Sequence, residues 1–197
     1  IAEFASVKGL SEPEIAQLTK VLAQVSVSEG VKPSAATPKQ IQQSLAQISK
    51  AGIAASSAAF GPFITAVSKA FPEIKAVGGT FPEFAAALVP IVGETGSDIE
   101  AAEVTKQVSR LLGQPKLIKA AAANQGISEA EFRNQPFTQR YNSMLRFIRE
   151  KGKTLKGQQL LEETLEPTQL ARARAVATPA SFAKGRAVLA EQRLITP

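Results

Sequence analysis

Six short motifs along this chain read as helix N-termini, and nothing between them reads as a strand. They are Ser11-x-x-Glu14, Thr37-x-x-Gln40, Thr80-x-x-Glu83, Ser97-x-x-Glu100, Ser128-x-x-Glu131 and an imperfect one, Thr164-x-x-Pro167. In the first five, the hydroxyl can accept a bond from the third helical N–H while the Glu or Gln reaches back to the cap. Pro13, Pro38 and Pro82 fall in the first turn, where a missing N–H is harmless. A chain punctuated in this way is all-α. We expect about eight to ten short helices, packed orthogonally rather than as a regular bundle.

A length of 197 residues suits one domain or two small ones. Apolar residues make up 44% of the chain but aromatics only 6%, and Ala dominates the apolar set. Ala favours helix and lets helices approach closely, yet each one buries little area. The core is therefore expected to be thin, with Phe60, Phe63, Phe71, Phe81 and Phe84 as its anchors.

The chain has no Cys, no His and no Trp. Disulfides are excluded, zinc loses its usual ligands, and serine–histidine or cysteine–histidine catalysis cannot operate. No cofactor is expected. The acidic groups Asp98, Glu100 and Glu103, and the pair Glu162 and Glu163, are the remaining catalytic candidates. Asp98 and Glu100 sit in a first helical turn, where negative charge suits the helix dipole, so the expectation is a protein that is not an enzyme. Gly78-Gly79 lacks the preceding strand of a phosphate-binding loop and reads as a turn.

Periodicity places helices over 11–26, 37–51 and 56–70, the last ending at Phe71-Pro72 with a loop or short turn over 72–79. A fourth begins at Thr80 and ends near Gly93–Gly96. A fifth runs from Ser97 to Leu112, with Ile99, Ala102, Val104, Val108, Leu111 and Leu112 inside and Gly113 as a left-handed cap. Helices follow near 115–124, 128–134, 136–151, 155–165, 167–176 and 179–192, after a short opening segment at 3–8. The most apolar run, Phe84 to Val92, is too short to span a bilayer, so no stable membrane span is expected. The chain starts at Ile1 without Met, as a piece excised from a longer protein would.

The net charge of +6 is unevenly placed. Residues 1–100 carry 7 Lys, no Arg and 9 acidic residues, whereas 101–197 carry 16 Lys plus Arg and 8 acidic residues. Arg140, Arg146, Arg149, Lys151, Lys153 and Lys156, interleaved with Phe137, Tyr141 and Phe147, form the candidate interaction surface. Cations in such a row can bind phosphates; with the aromatics on the apolar helix face, they can equally be a solvated surface. Arg172, Arg174, Lys184, Arg186 and Arg193 form a second basic set, read as diffuse surface charge. The organisation expected is an Ala-rich region, 1–126, with a basic region, 127–197, packed on it.

Three stretches taken together carry a family resemblance: FASVKGLSEPEIAQLTKVLAQVS (4–26), TPKQIQQSLAQISKAG (37–52) and GGTFPEFAAALVPIVGETGSDIEAAEVTKQVSRLLG (78–113). A small-residue helix leads to a capped helix, and a later Phe/Leu-rich helix is followed by a Gly-flanked turn and a long helix ending in Arg-Leu-Leu. This order resembles a region of the tail length tape measure proteins of long-tailed bacteriophages, over roughly residues 4–113. The segment 52–75 is richer in Phe and Pro than that region, and the chain lacks the long heptads of a ruler's rod. The resemblance thus implies a folded helical portion of the ruler, not the rod.

It further implies a structural virion protein that sets tail-tube length, located in the virion tail and assembled in the host cytoplasm. Its partners would be tail tube and tail tip proteins, an assembly chaperone and further copies of itself. No catalytic residue is carried over. The alternative is a nucleic-acid-binding or protein-interaction helical domain that uses the basic second half.

Overall fold

The computed structural model describes residues 1–55, 59–151, 153–163 and 165–195, and among these there is no strand. Four of the five complete motifs form both bonds of the capping box. The N–H of Ser11, Thr37, Thr80 and Ser128 donates to the Glu14, Gln40, Glu83 and Glu131 side chains at 2.8, 2.8, 3.1 and 2.8 Å. At the fifth, Ser97 Oγ accepts from the Glu100 N–H at 3.3 Å, but the Glu100 carboxylate is drawn away to Arg172. The sixth motif is corrected: the cap of the next-to-last helix is Glu166, whose N–H donates to Gln169 at 3.3 Å. Thr164 itself lies outside the described residues.

The described residues form twelve α-helices: α1 (Ala2–Val7), α2 (Glu12–Ser28), α3 (Pro38–Ala54), α4 (Phe60–Ala76), α5 (Phe81–Thr95) and α6 (Asp98–Leu111) in the first half. The second half holds α7 (Pro115–Gln125), α8 (Glu129–Asn134), α9 (Phe137–Lys151), α10 (Leu155–Glu162), α11 (Pro167–Val176) and α12 (Pro179–Arg193). Two of them, α1 and α8, have only six residues, which accounts for a number slightly above the expected eight to ten.

Two boundaries differ from the sequence reading. Pro72 does not end α4, which continues to Ala76; the helix carries proline in its interior on an exposed face and stops at Val77, ahead of Gly78 with φ +81°. The expected start of that helix at Ser56 falls on residues 56–58, outside the described ones. Gly113 is not a left-handed cap either: α6 closes on Leu112 with φ −68°, in the ordinary helical region. The left-handed glycine of this region is Gly96, φ +68°, which donates to the Val92 carbonyl at 2.8 Å and turns the chain from α5 into α6.

Helix α5 is the centre of the molecule. Every residue from Phe81 to Val92 except Pro82 is buried, so it is apolar all round rather than on one stripe. Helices α3, α4, α6, α9, α11 and α12 all pack against it. Phe71 of α4 meets Phe81 and Phe84 at ring-centroid distances of 5.5 Å each. Phe63, Phe71, Phe81 and Phe84 are fully buried, whereas Phe60 is only partly so, lying beside Phe4 at 5.6 Å. One continuous apolar cluster runs from Leu18 to Val188, crossing the expected boundary at 126.

The tightest helix contact in this core is made by α12, which lies along α5 with Gly185 directly over Ala86. Ile99, expected on the inner face of α6, is 54% exposed; the buried stripe is formed instead by Ala101, Ala102, Val104, Thr105, Val108, Ser109 and Leu111. The hydroxyls of Thr105 and Ser109 donate to carbonyls four residues back, at 2.8 and 2.7 Å. That local bond lets two polar side chains share the buried face.

Candidate interaction groove

The six cations of the expected surface separate into three groups once the chain is folded. Arg140 is half-buried, and its Nη2 donates to the carbonyl of Val77 at 2.7 Å. Arg149 does the same for another helix, donating through Nη1 to the carbonyl of Ala177 at 2.8 Å. Val77 and Ala177 are the C-cap residues that follow α4 and α11, so both arginines satisfy orphan carbonyls at the negative end of a helix. Burial lowers the Arg140 pKa from its ordinary value, with Glu83 opposing the shift and Arg133 adding to it. Lys151, Lys153 and Lys156 remain exposed around the turn between α9 and α10, and no ion pair among the described residues involves them.

Arg146 takes a third role. Its guanidinium carbon lies 5.1 Å from the centre of the Phe182 ring, across the space between α9 and α12. Both helices pack on α5, but they make little direct contact with each other, so a trench runs between them with α5 as its floor. One hollow of it has a volume of about 530 Å³. Ala86 and Ala87 form the floor, Gln139, Asn142 and Arg146 one wall, and Arg186, Leu189 and Arg193 the other. A second hollow of about 560 Å³ continues past Arg146 and Arg186 to Arg149, Phe182 and Glu150.

Small residues make this trench possible. Gly185 and Ala86 bring α12 and α5 together, and Tyr141 fills the base of α9 without reaching the surface. The Tyr141 phenol is wholly buried beside Thr105, and burial pushes its pKa far up, so it stays neutral at any physiological pH. Phe137 lies 5.5 Å from Tyr141 and is equally buried. The aromatics interleaved with the basic residues are therefore core, while Arg146 and Arg149 are the two cations of that set that line the trench.

Sequence reading found Arg146 but treated Arg186 and Arg193 as diffuse charge. Their spacing of seven residues, two helical turns, was the available signal that they share a face of α12. From the same second set, Arg172 leaves for an ion pair with Glu100. The acidic candidates do not converge. Glu103 is bonded to Lys106 and Gln107, Glu162 to Gln158, and Glu163 lies 3.6 Å from Lys116. Among the described residues, no group of three acidic side chains could hold a metal ion, and no helix is long and apolar enough to cross a membrane.

The geometry therefore offers a polar, arginine-rimmed trench and no converging reactive groups among the described residues. The chain matches no protein-family model, no curated protein and no solved structure.

Proposed function

We propose that this chain is a folded helical module of a bacteriophage tail tape measure protein, working by association rather than by catalysis. The observation that carries the reading is the architecture of 78–113. A capped Phe/Leu-rich helix, α5, turns at the left-handed Gly96 into α6, which ends in Arg-Leu-Leu. That is the order of elements on which the sequence resemblance rests, and in this molecule it forms the centre of the core. Six helices, α3, α4, α6, α9, α11 and α12, pack on α5, more neighbours than one helix has in an up-and-down four-helix bundle, which supports an orthogonal packing.

In this reading the module belongs to the virion tail and is assembled in the host cytoplasm. It meets tail tube and tip proteins, an assembly chaperone or further copies of itself through exposed helix faces. An antibody raised against these residues tests it, by reporting the size of the native polypeptide and its sedimentation with virus particles. A band far heavier than the 20.8 kDa of this chain, travelling with particles, is the expected result. A band of about that mass, free of particles, overturns it.

A further inference from the structure

We propose that the trench between α9 and α12 is a docking site for an acidic, helical segment of a partner protein. The inference rests on the groove alone and holds whatever the parent polypeptide is. Three observations carry it.

The first is the charge of the rim. Arg146, Arg186 and Arg193 have no carboxylate partner among the described residues. The acidic side chains close to them are occupied: Glu150 accepts from Asn124 at 3.0 Å, and Glu191 lies 3.8 Å from Lys50. Arg146 lies over Phe182, its guanidinium carbon 5.1 Å from the ring centre, and lines both hollows of the trench. A guanidinium presented in this way suits a two-pronged bond to a carboxylate.

The second is the spacing. Arg186 and Arg193 are seven residues apart on α12, or about 10 Å along its axis, and Arg146 and Arg149 are three apart on α9, or about 4.5 Å. A helix laid along the mouth of the trench presents carboxylates at the same intervals when acids recur every three or four residues. The third is the shape. Both walls are helices, the floor is Ala86 and Ala87, and the hollow admits side chains from a helix resting above it.

The same features disfavour nucleic acid. Single strands are held by bases stacked on exposed aromatics, and the aromatics here, Tyr141 and Phe182, are 1% and 7% exposed.

The test uses the 197-residue chain and a fluorescent synthetic Ala-rich peptide of about 20 residues, long enough to be helical in water, with Glu every three or four positions along one face. Anisotropy titrations are run in about 0.1 M salt, where charges farther apart than about 10 Å are screened. The expected result is saturable binding that is lost when Gln replaces Glu in the peptide. Binding should weaken about tenfold in the Arg146→Gln/Arg186→Gln/Arg193→Gln protein, the combined effect of three exposed ion pairs.

Because Arg146 also packs on Phe182, two further variants spare that contact. Arg186→Gln/Arg193→Gln should weaken binding several-fold, and Ala190→Glu, an exposed position in the wall, should weaken it by like-charge repulsion. Absence of peptide binding, or equal binding by all variants with unchanged circular dichroism, overturns the proposal. So does displacement of the peptide by a single-stranded oligodeoxynucleotide of equal charge at lower concentration, which assigns the trench to nucleic acid. A concentration-dependent dimer in sedimentation that these substitutions abolish also overturns it, and assigns the trench to a second copy.

Discussion

The carboxylate of Glu83 accepts from the backbone N–H of Thr138, 3.3 Å away and 55 residues distant in sequence. Its other oxygen closes the capping box of α5, accepting from the N–H and the hydroxyl of Thr80 at 3.1 Å each. One side chain therefore caps two helices, α5 and α9, and does so while 8% exposed. Two helix N-termini pointing at one anion compensate its burial, since each presents unsatisfied N–H groups and positive dipole charge. Glu83→Ala should cost about 2–3 kcal/mol, because it strips the caps of two helices at once. Glu83→Gln keeps acceptor oxygen but not charge, and should cost about 1 kcal/mol. Urea unfolding separates the two, and a Glu83→Ala midpoint equal to that of the parent chain would show that neither the charge nor the second cap matters.

A Cβ on Gly185 would lie 2.7 Å from the carbonyl oxygen of Ala86, closer than packing allows. The obstacle is backbone, so it cannot rotate aside. Gly185→Ala gains about 0.5–1 kcal/mol of helix propensity, yet forcing α12 off α5 should cost about 1–3 kcal/mol. A net destabilisation is expected in thermal melts, together with a change in the groove that α12 walls. A raised melting temperature would mean that the two helices can separate without loss.

Pro72 sits inside α4 on an exposed face, without the N–H that the position calls for. Pro72→Ala restores a backbone bond and relieves the ring's contact with the preceding turn. Set against the more flexible unfolded chain, the net gain should be about 1–2 kcal/mol. Guanidinium unfolding of the two proteins measures it, and a loss of stability would reveal a role for the proline that its exposure does not suggest.

Acid should act through the capping boxes. The side-chain bond from the Ser128 hydroxyl and the backbone bond from its N–H hold the Glu131 carboxyl below its ordinary value of 4.5, and Ser11 does the same for Glu14. A carboxyl with a lowered folded pKa stabilises the fold above its unfolded pKa and loses that contribution as pH falls through the folded value. Stability should therefore decline below about pH 4.5, in part through these two boxes. Ser128→Ala should cost about 1 kcal/mol at neutral pH as a lost cap, and should flatten the acid limb of the stability curve. An unchanged acid limb would place the sensitivity in other carboxylates.

Much of the secondary structure was written locally. A hydroxyl with an acid or amide three residues on, or a proline in the first turn, acts within one helical turn, so α2, α3, α5, α6 and α8 begin where the motifs stand. The Phe anchors were equally legible, because large apolar side chains have few places to go other than the interior. Ile99 was misread because periodicity shows that a helix has two faces but not how wide the buried one is, and Gly113 because a glycine after a helix permits a left-handed cap without requiring one. The Arg172–Glu100 pair redirected a carboxylate that local rules had assigned to a cap.

The sequence by itself determined that the chain is helical, where most of its helices start, and that its second half is basic. Only the tertiary structure decided what each cation does. Arg140 and Arg149 terminate other helices, Arg146 lies on Phe182, and Arg186 and Arg193 face Arg146 across a trench. The physical reason is range. Caps and propensities act over three or four residues, whereas the end of a helix 63 residues away, or a ring on another helix, meets an arginine only after the core around α5 has brought them together.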